Sequence, residues 1–209
     1  MFGKFKYPIL LHLIILIWGF TGILGKLIEL DAFYIVWHRV VIASLSLFIA
    51  MLFLKKSFSV VSKKRLIQIC ITGVIVGLHW ITFYQSIQLS TASLGILCLS
   101  TTSIHVAWLE PLIMKRSFSW VELVLSALVV YGIYFVSSDF SSTDFIALAY
   151  GLFSALLAAV FSVFNAKFTE SIPPSTITLY EMAAASLFLS LVLVFQGRFT
   201  LELFNMTLS

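Results

Sequence analysis

Charge is sparse in this sequence. Only 11% of its 209 residues are charged, against about 25% in an ordinary soluble domain. With 61% hydrophobic residues and a mean hydropathy of +1.09, the chain reads as an integral membrane protein. Cysteine is scarce too. Cys70 and Cys98 are the two present, both inside apolar stretches, so no secreted disulfide framework is implied. Catalytic spacings are missing as well. His12, His38, His79 and His105 stand apart, with no H-E-x-x-H and no Cys/His cluster at metal spacing. No Asp falls within a span and no G-x-S-x-G occurs. We expect no enzyme, no cofactor and no metal; a membrane-embedded enzyme is the weakest rival reading. The apolar runs lack the strict alternation of barrel strands and are about twice too long for them.

What is present is seven apolar stretches, at about Pro8–Ile28, Tyr34–Leu54, Leu66–Gln88, Ala92–Met114, Trp120–Ser137, Phe145–Phe168 and Thr178–Gln196. Each approaches the roughly 20 residues that cross a bilayer as a helix. The expected fold is therefore an all-α, multi-pass transmembrane helix bundle with about seven spans. The first stretch follows Lys4 and Lys6 as a signal peptide would. It lacks a small-residue cleavage site and six spans follow, so we read it as a retained helix. The formal charge of +4 points to no nucleic acid, because the basic residues gather at span ends, where they set topology. With a cytoplasmic N-terminus, Lys4, Lys6, Lys55, Lys56, Lys63, Lys64, Arg65, Lys115, Arg116 and Lys167 lie inside. Lys26, Arg39 and Arg198 lie outside. Ten against three is a positive-inside bias, and it suggests a cell (inner) membrane protein.

The polar residues inside the spans are the candidates for function. An ionisable group facing lipid costs roughly 2.5–3.5 kcal/mol on insertion scales. The fourth span carries two polar stripes, Ser93, Ser100, Ser103 and Glu110 on one face and Cys98, Thr101, Thr102 and His105 on the other. A helix polar on two sides belongs inside a bundle, as part of a solute path; interhelical hydrogen bonding is the bland alternative for each hydroxyl. Pro111 is expected to kink it, and Glu110 to meet Lys115. The third span has a packing face of Gly73, Gly77, Trp80, Tyr84 and Gln88, and a polar face of Thr72, His79, Thr82 and Ser86. With only Leu89–Thr91 between them, spans three and four form a hairpin that brings their polar faces close. Trp18, Thr21, Gly22 and Gly25 share one face of the first span, where small residues admit a neighbouring helix. Lys26 has Glu29 three residues on, which predicts an ion pair. Arg39, with Ala43, Ser46 and Ala50 on its stripe, has two readings. It snorkels to the interface with Glu29 or Asp31, or it is a cation at the mouth of a path, awaiting an anionic group. Ser119 and Glu122 have the spacing of a capping box that starts the fifth span. That span otherwise looks peripheral.

Segments also repeat. Arg39–Leu47 (RVVIASLSL) aligns with Glu181–Leu189 (EMAAASLFL) at an offset of 142, and Trp18–Lys26 with Ala159–Lys167 at 141. Five spans, an odd number, separate the units, so the second would enter the membrane from the opposite side, as in transporters built from inverted repeats. The boundary falls in the polar link 138–143, giving units 1–138 and 144–209.

Trp18-Gly19, Trp37-His38-Arg39, Phe83-Tyr84-Gln85, Leu109-Glu110-Pro111, the Gly132-containing fifth span and Tyr150-Gly151 follow one another along the chain. In this order they resemble an EamA-type member of the drug/metabolite transporter superfamily. The resemblance implies ten helices in two inverted five-helix repeats around a central cavity, and carriage of a small organic solute. With seven spans, the chain would hold one five-helix repeat and the first two helices of a second, so it is expected to be C-terminally truncated. Alternating access by a secondary transporter is then the expected function, and a truncated, non-transporting membrane protein the rival. A homo-oligomer that rebuilds the cavity is the alternative arrangement. The expected partners are solute and membrane lipid. The substrate-binding set is Trp18, Thr21, Arg39, His79, Thr82, Ser86, Ser100, Ser103 and His105. Arg39 would attract an anionic group, and His79 or His105 would bond solute or carry a coupling proton.

The charge asymmetry makes topology testable. A reporter fused after Lys64 should read cytoplasmic and one fused near Ser141 external; both reading from the same side would refute the span count.

Overall fold

The computed structural model describes residues 6–136 and 144–200. Among these every long element is a helix: α1 Lys6–Leu27, α2 Ala32–Phe53, α3 Lys63–Leu89, α4 Ala92–Ser100, α5 Thr102–Met114, α6 Trp120–Val136, α7 Phe145–Thr169 and α8 Pro174–Phe195. Six helical segments, counting α4 and α5 as one, are long and apolar enough to cross a membrane, and α6 is a shorter apolar helix. That is the multi-pass bundle of about seven spans. The link 138–143, where the two units were divided, lies outside the described residues, as do 201–209.

Side chains start the helices where the sequence supplies them. Asp31 accepts from the Phe33 N–H at 2.9 Å, Ser62 from Arg65 at 3.2 Å, and Thr91 from Leu94 at 3.1 Å. Each satisfies a donor that a helix N-terminus leaves unpaired. Ser119 does the same for the Glu122 N–H at 3.3 Å. The Glu122 side chain serves Arg116 instead of closing a capping box, accepting at 3.2 and 2.5 Å. Glu110 also pairs with Arg116, at 3.1 Å, rather than with Lys115. The guanidinium fork can hold two carboxylates at once, which an ammonium does less well.

The fourth span breaks, but not at its proline. α5 runs through Pro111, and the interruption comes at Thr101. There the backbone tightens to three-residue bonds, Thr101 N–H to the Cys98 carbonyl at 3.0 Å and Ile104 N–H to that of Thr101 at 3.1 Å. Four successive hydroxyls explain it. Ser100, Thr101, Thr102 and Ser103 each donate to the carbonyl three residues back, at 2.6, 2.6, 2.6 and 3.1 Å. Such back-bonding competes with the helix ladder and bends it.

α3 is the centre of the bundle. Twelve of its residues are buried, compared with Gly22 and Gly25 alone among the described residues of α1. It packs on α7 and α8, with α2 beside α8, α4 and α5 along α7, α1 near its C-terminal end, and α6 outermost against α5. In lipid there is no hydrophobic gain in pressing helices together, so contact depends on small residues that let backbones approach. The G-x-x-x-G of α3 does this against α8. A Cβ at Gly73 would collide with the backbone of Glu181, and one at Gly77 would touch Ala185 at 3.5 Å. α7 presents a buried row of small residues, Ala147, Gly151, Ser154, Ala155, Ala158 and Ala159. A Cβ at Gly151 would meet Cys98 at 2.7 Å and the Ser86 hydroxyl at 2.9 Å. Gly25 of α1 receives the ring of Tyr84.

The glycine contacts separate two kinds of substitution. Gly73→Ala pushes on backbone that has no rotamer to yield, and should destabilise the protein by about 1–3 kcal/mol. Gly19→Ala has no neighbour within 4 Å and should be neutral or slightly stabilising, since alanine favours helix by roughly 0.5–1 kcal/mol. Thermal unfolding of the two variants in one detergent reads the difference; equal melting temperatures would refute the close α3–α8 crossing.

Candidate functional site

Arg39 lies seven residues into α2, or about 10 Å from its start at 1.5 Å per residue. It does not reach back to Asp31, which pairs with Arg198 at 3.1 Å while capping α2. Instead Arg39 turns to α3. Its Nη1 donates to the Tyr84 hydroxyl at 2.6 Å, and its guanidinium carbon stands 4.2 Å from the Trp80 ring centroid and 5.5 Å from that of Tyr84. Trp80 and Tyr84 stack on each other at 6.0 Å, one helical turn apart. A guanidinium is weakly hydrated, and its flat face suits aromatic rings. Such contacts hold the cation without neutralising it. Among the described residues no carboxylate lies within salt-bridge distance of Arg39. The hydrogen bond to Tyr84 uses one of its five N–H donors, and a carboxylate or phosphate would take two in parallel.

The surrounding contacts fix this arrangement. Tyr84 is buried against Gly25 of α1. The Trp37 indole N–H donates to Ser190 of α8 at 2.8 Å. Lys26 forms no pair with Glu29; its Nζ donates to the carbonyls of Ile87, Gln88 and Ser90 at 3.2, 3.3 and 2.8 Å. These are the unpaired acceptors at the C-terminus of α3, where a cation is favoured. Gln88 donates in turn to the Leu30 carbonyl at 2.6 Å. The expected ion pair was local in sequence, but three carbonyls across the α3–α4 turn outbid one exposed carboxylate.

The polar face of α3 is buried and meets α7, not the polar stripe of the fourth span. His79 Nδ1 lies 2.9 Å from both the carbonyl and the hydroxyl oxygen of Ser154, and the Ser154 hydroxyl donates to the His79 carbonyl at 3.1 Å. A carbonyl can only accept, so Nδ1 carries the hydrogen. Aromatic rings of Trp80, Phe83 and Phe161 enclose the imidazole. Ser86 donates to the Ala147 carbonyl at 2.7 Å, and Thr82 to the carbonyls of Leu78 and His79 in its own helix, at 2.9 and 3.0 Å. Cys98 and Thr101 are buried, and Thr102 reaches the Ala155 carbonyl of α7 at 3.4 Å. Both polar faces thus converge on α7.

The other candidates lie apart from Arg39. Ser100 and Ser103 are exposed and bonded within their own helix, and His105 is half-buried on α5. Trp18 is 68% exposed. Thr21 donates back to the Ile17 carbonyl at 3.4 Å. Only the C-terminal part of α1 packs on the bundle, through Gly22 and Gly25, so the face that looked continuous in sequence loses its neighbour before it reaches Trp18. Trp80 and Tyr84 share the packing face of α3 at i, i+4 spacing, but the cation beneath them comes from another helix.

No curated protein and no solved structure matches the chain. Residues 6–138, covering α1 to α6, match the EamA-like transporter family. That match spans the α2–α3 site and most of the sequence, and it agrees with an all-helical, multi-pass membrane fold: the chain belongs to the EamA-like transporter family.

Proposed function

We propose that this protein is a secondary transporter that moves a small organic solute bearing an anionic group across the cell membrane by alternating access. The observation that carries this reading is Arg39, a cation inside a span held by aromatic rings and a phenol, with no carboxylate partner among the described residues. An intramembrane charge is costly, and one left without a counter-ion is best explained by a charge that comes and goes. With the N-terminus cytoplasmic, Arg39 sits toward the outer end of its span. Carboxylate or phosphate would bind the unused edge of the guanidinium, while Trp80 and Tyr84 keep its face in place. His79 and Ser86 serve this site by holding α3 against α7.

An inverted repeat is part of the proposal. The aligned segments of α2 and α8 pack side by side, and paired repeats with a site at their junction are the recurrent build of secondary transporters. Arg39 lies on α2, one of the two helices that form that junction.

A comparison of metabolite accumulation in cells with and without the protein identifies the solute class. For each solute found, Arg39→Ala should reduce transport by about 10-fold or more, since a hydrogen bond to a charged group is worth roughly 1.5–3 kcal/mol. Arg39→Lys should retain part of the activity, having charge without the planar fork. Tyr84→Phe, which keeps the ring and loses the phenol, should show a smaller loss. Membrane levels of all three should match the parent protein. Loss of protein in proportion to loss of flux would make Arg39 structural, and an unchanged metabolite profile would favour a non-transporting protein.

A further inference from the structure

A second ionisable side chain lies deeper in the bundle, and its surroundings differ from those of Arg39. Glu181 of α8 is 3% exposed. Its backbone abuts Gly73 of α3, and its Oε2 accepts from Asn165 Nδ2 of α7 at 3.3 Å. Among the described residues no other side chain comes within hydrogen-bond or salt-bridge distance of its carboxyl group. Two buried atoms of this pair have no partner, Glu181 Oε1 and Asn165 Oδ1. Both are acceptors if the carboxyl is ionised. Two orphaned acceptors, one on each member of a bonded pair, lack a single donor between them.

The titratable groups on the neighbouring helices do not supply it. On α3, Arg65 donates to Gln68 and lies over the Phe168 ring, and His79 is engaged with Ser154; Lys63 and Lys64 stand at the helix start, beyond Arg65. On α7, Lys167 donates to the Ile113 carbonyl, and Glu170 follows the helix end. On α2, Arg39 is bonded to Tyr84 and His38 to the Tyr34 carbonyl. α8 itself carries no basic residue.

We propose that Glu181 and Asn165 form a proton-binding site at the α3–α7–α8 junction, in which Glu181 is a neutral acid. The proton resides on Oε1 and is donated to Asn165 Oδ1, while Asn165 Nδ2 donates to Oε2. This acid–amide ring satisfies every polar atom of the pair and removes a charge from a position that water does not reach. A proton needs only this one acceptor pair, whereas a sodium ion would need several more oxygens than the pair offers. Loss of the proton would place an uncompensated charge where α3 and α8 approach most closely, so proton release requires α8 to move away from α3 or to admit water. The site stands whether or not the chain transports a solute.

Infrared spectroscopy of the full chain in lipid nanodiscs tests this. At neutral pH, the difference between the parent protein and Glu181→Gln should contain the carbonyl stretch of one protonated carboxylic acid, shifted in heavy water. Glutamine reproduces the ring with an N–H in place of the O–H, so the variant should keep the parent melting temperature. Asn165→Leu should move the band to higher frequency by removing its hydrogen bonds. Protein grown with ¹³C-glutamate gives the same reading without any substitution, as an isotope-shifted acid band that persists at neutral pH. Absence of that band, with only carboxylate stretches present, overturns the proposal. So does a band that vanishes when sodium is added, which would make the site one for a metal cation, or a Glu181→Gln protein that melts far below its parent, which would imply an ionised carboxylate with a cationic partner.

Discussion

The structure depends on the closeness with which α3 is approached by its two neighbours. Lipid tails are as apolar as leucine, so helices in a membrane gain nothing merely by burying hydrophobic surface against one another. Packing distance and hydrogen bonds have to supply the attraction. α3 obtains both: Gly73 brings it onto the backbone of Glu181, and the small-residue row of α7 brings that helix near enough for His79 and Ser86 to reach main-chain carbonyls. A methyl group at the first crossing would disturb the second, because α7 and α8 share the same central helix.

That arrangement leaves the polar side chains of the spans hydrogen-bonded to main-chain carbonyls, inside the bundle and on its surface. Thr82, Ser100, Thr101, Thr102 and Ser103 give their hydroxyl hydrogens to carbonyls of their own helices. The four successive ones also bend the chain at Thr101, which places α5 along α7 independently of Pro111. Hydroxyls that bond locally cost little in lipid, and this is why two polar stripes on one span do not by themselves mark a passage.

Two ionisable residues at corresponding positions of the aligned segments, Arg39 and Glu181, are treated in opposite ways. Arg39 has donors to spare and aromatic faces that leave its charge intact. Glu181 sits in a pair that is short of one donor. An excess of donors suits an anionic visitor, and a missing donor suits a proton. Each is an electrostatic imbalance inside a span, half-buried for Arg39 and buried for Glu181, and the two lie on helices that pack against each other.

Membrane insertion, the number of apolar helices, the cap at Ser119 and the family were legible in the chain, because each depends on residues close in sequence. The G-x-x-x-G of α3 announced a tight crossing in the same way. The partner across that crossing did not appear, since Glu181 follows Gly73 by more than 100 residues and periodicity is silent about which helix faces which. The site was legible by halves for the same reason. Arg39 could be singled out because a charge inside a span is anomalous wherever it lies. Its companions Trp80 and Tyr84 looked like ordinary packing residues, and the partners assigned to it, to Lys26 and to Glu110 were the nearest opposite charges along the chain. Composition and local pattern determine that a group is costly to bury; only the tertiary structure decides what relieves that cost, because the helix that supplies the partner is brought there by packing and not by sequence neighbourhood.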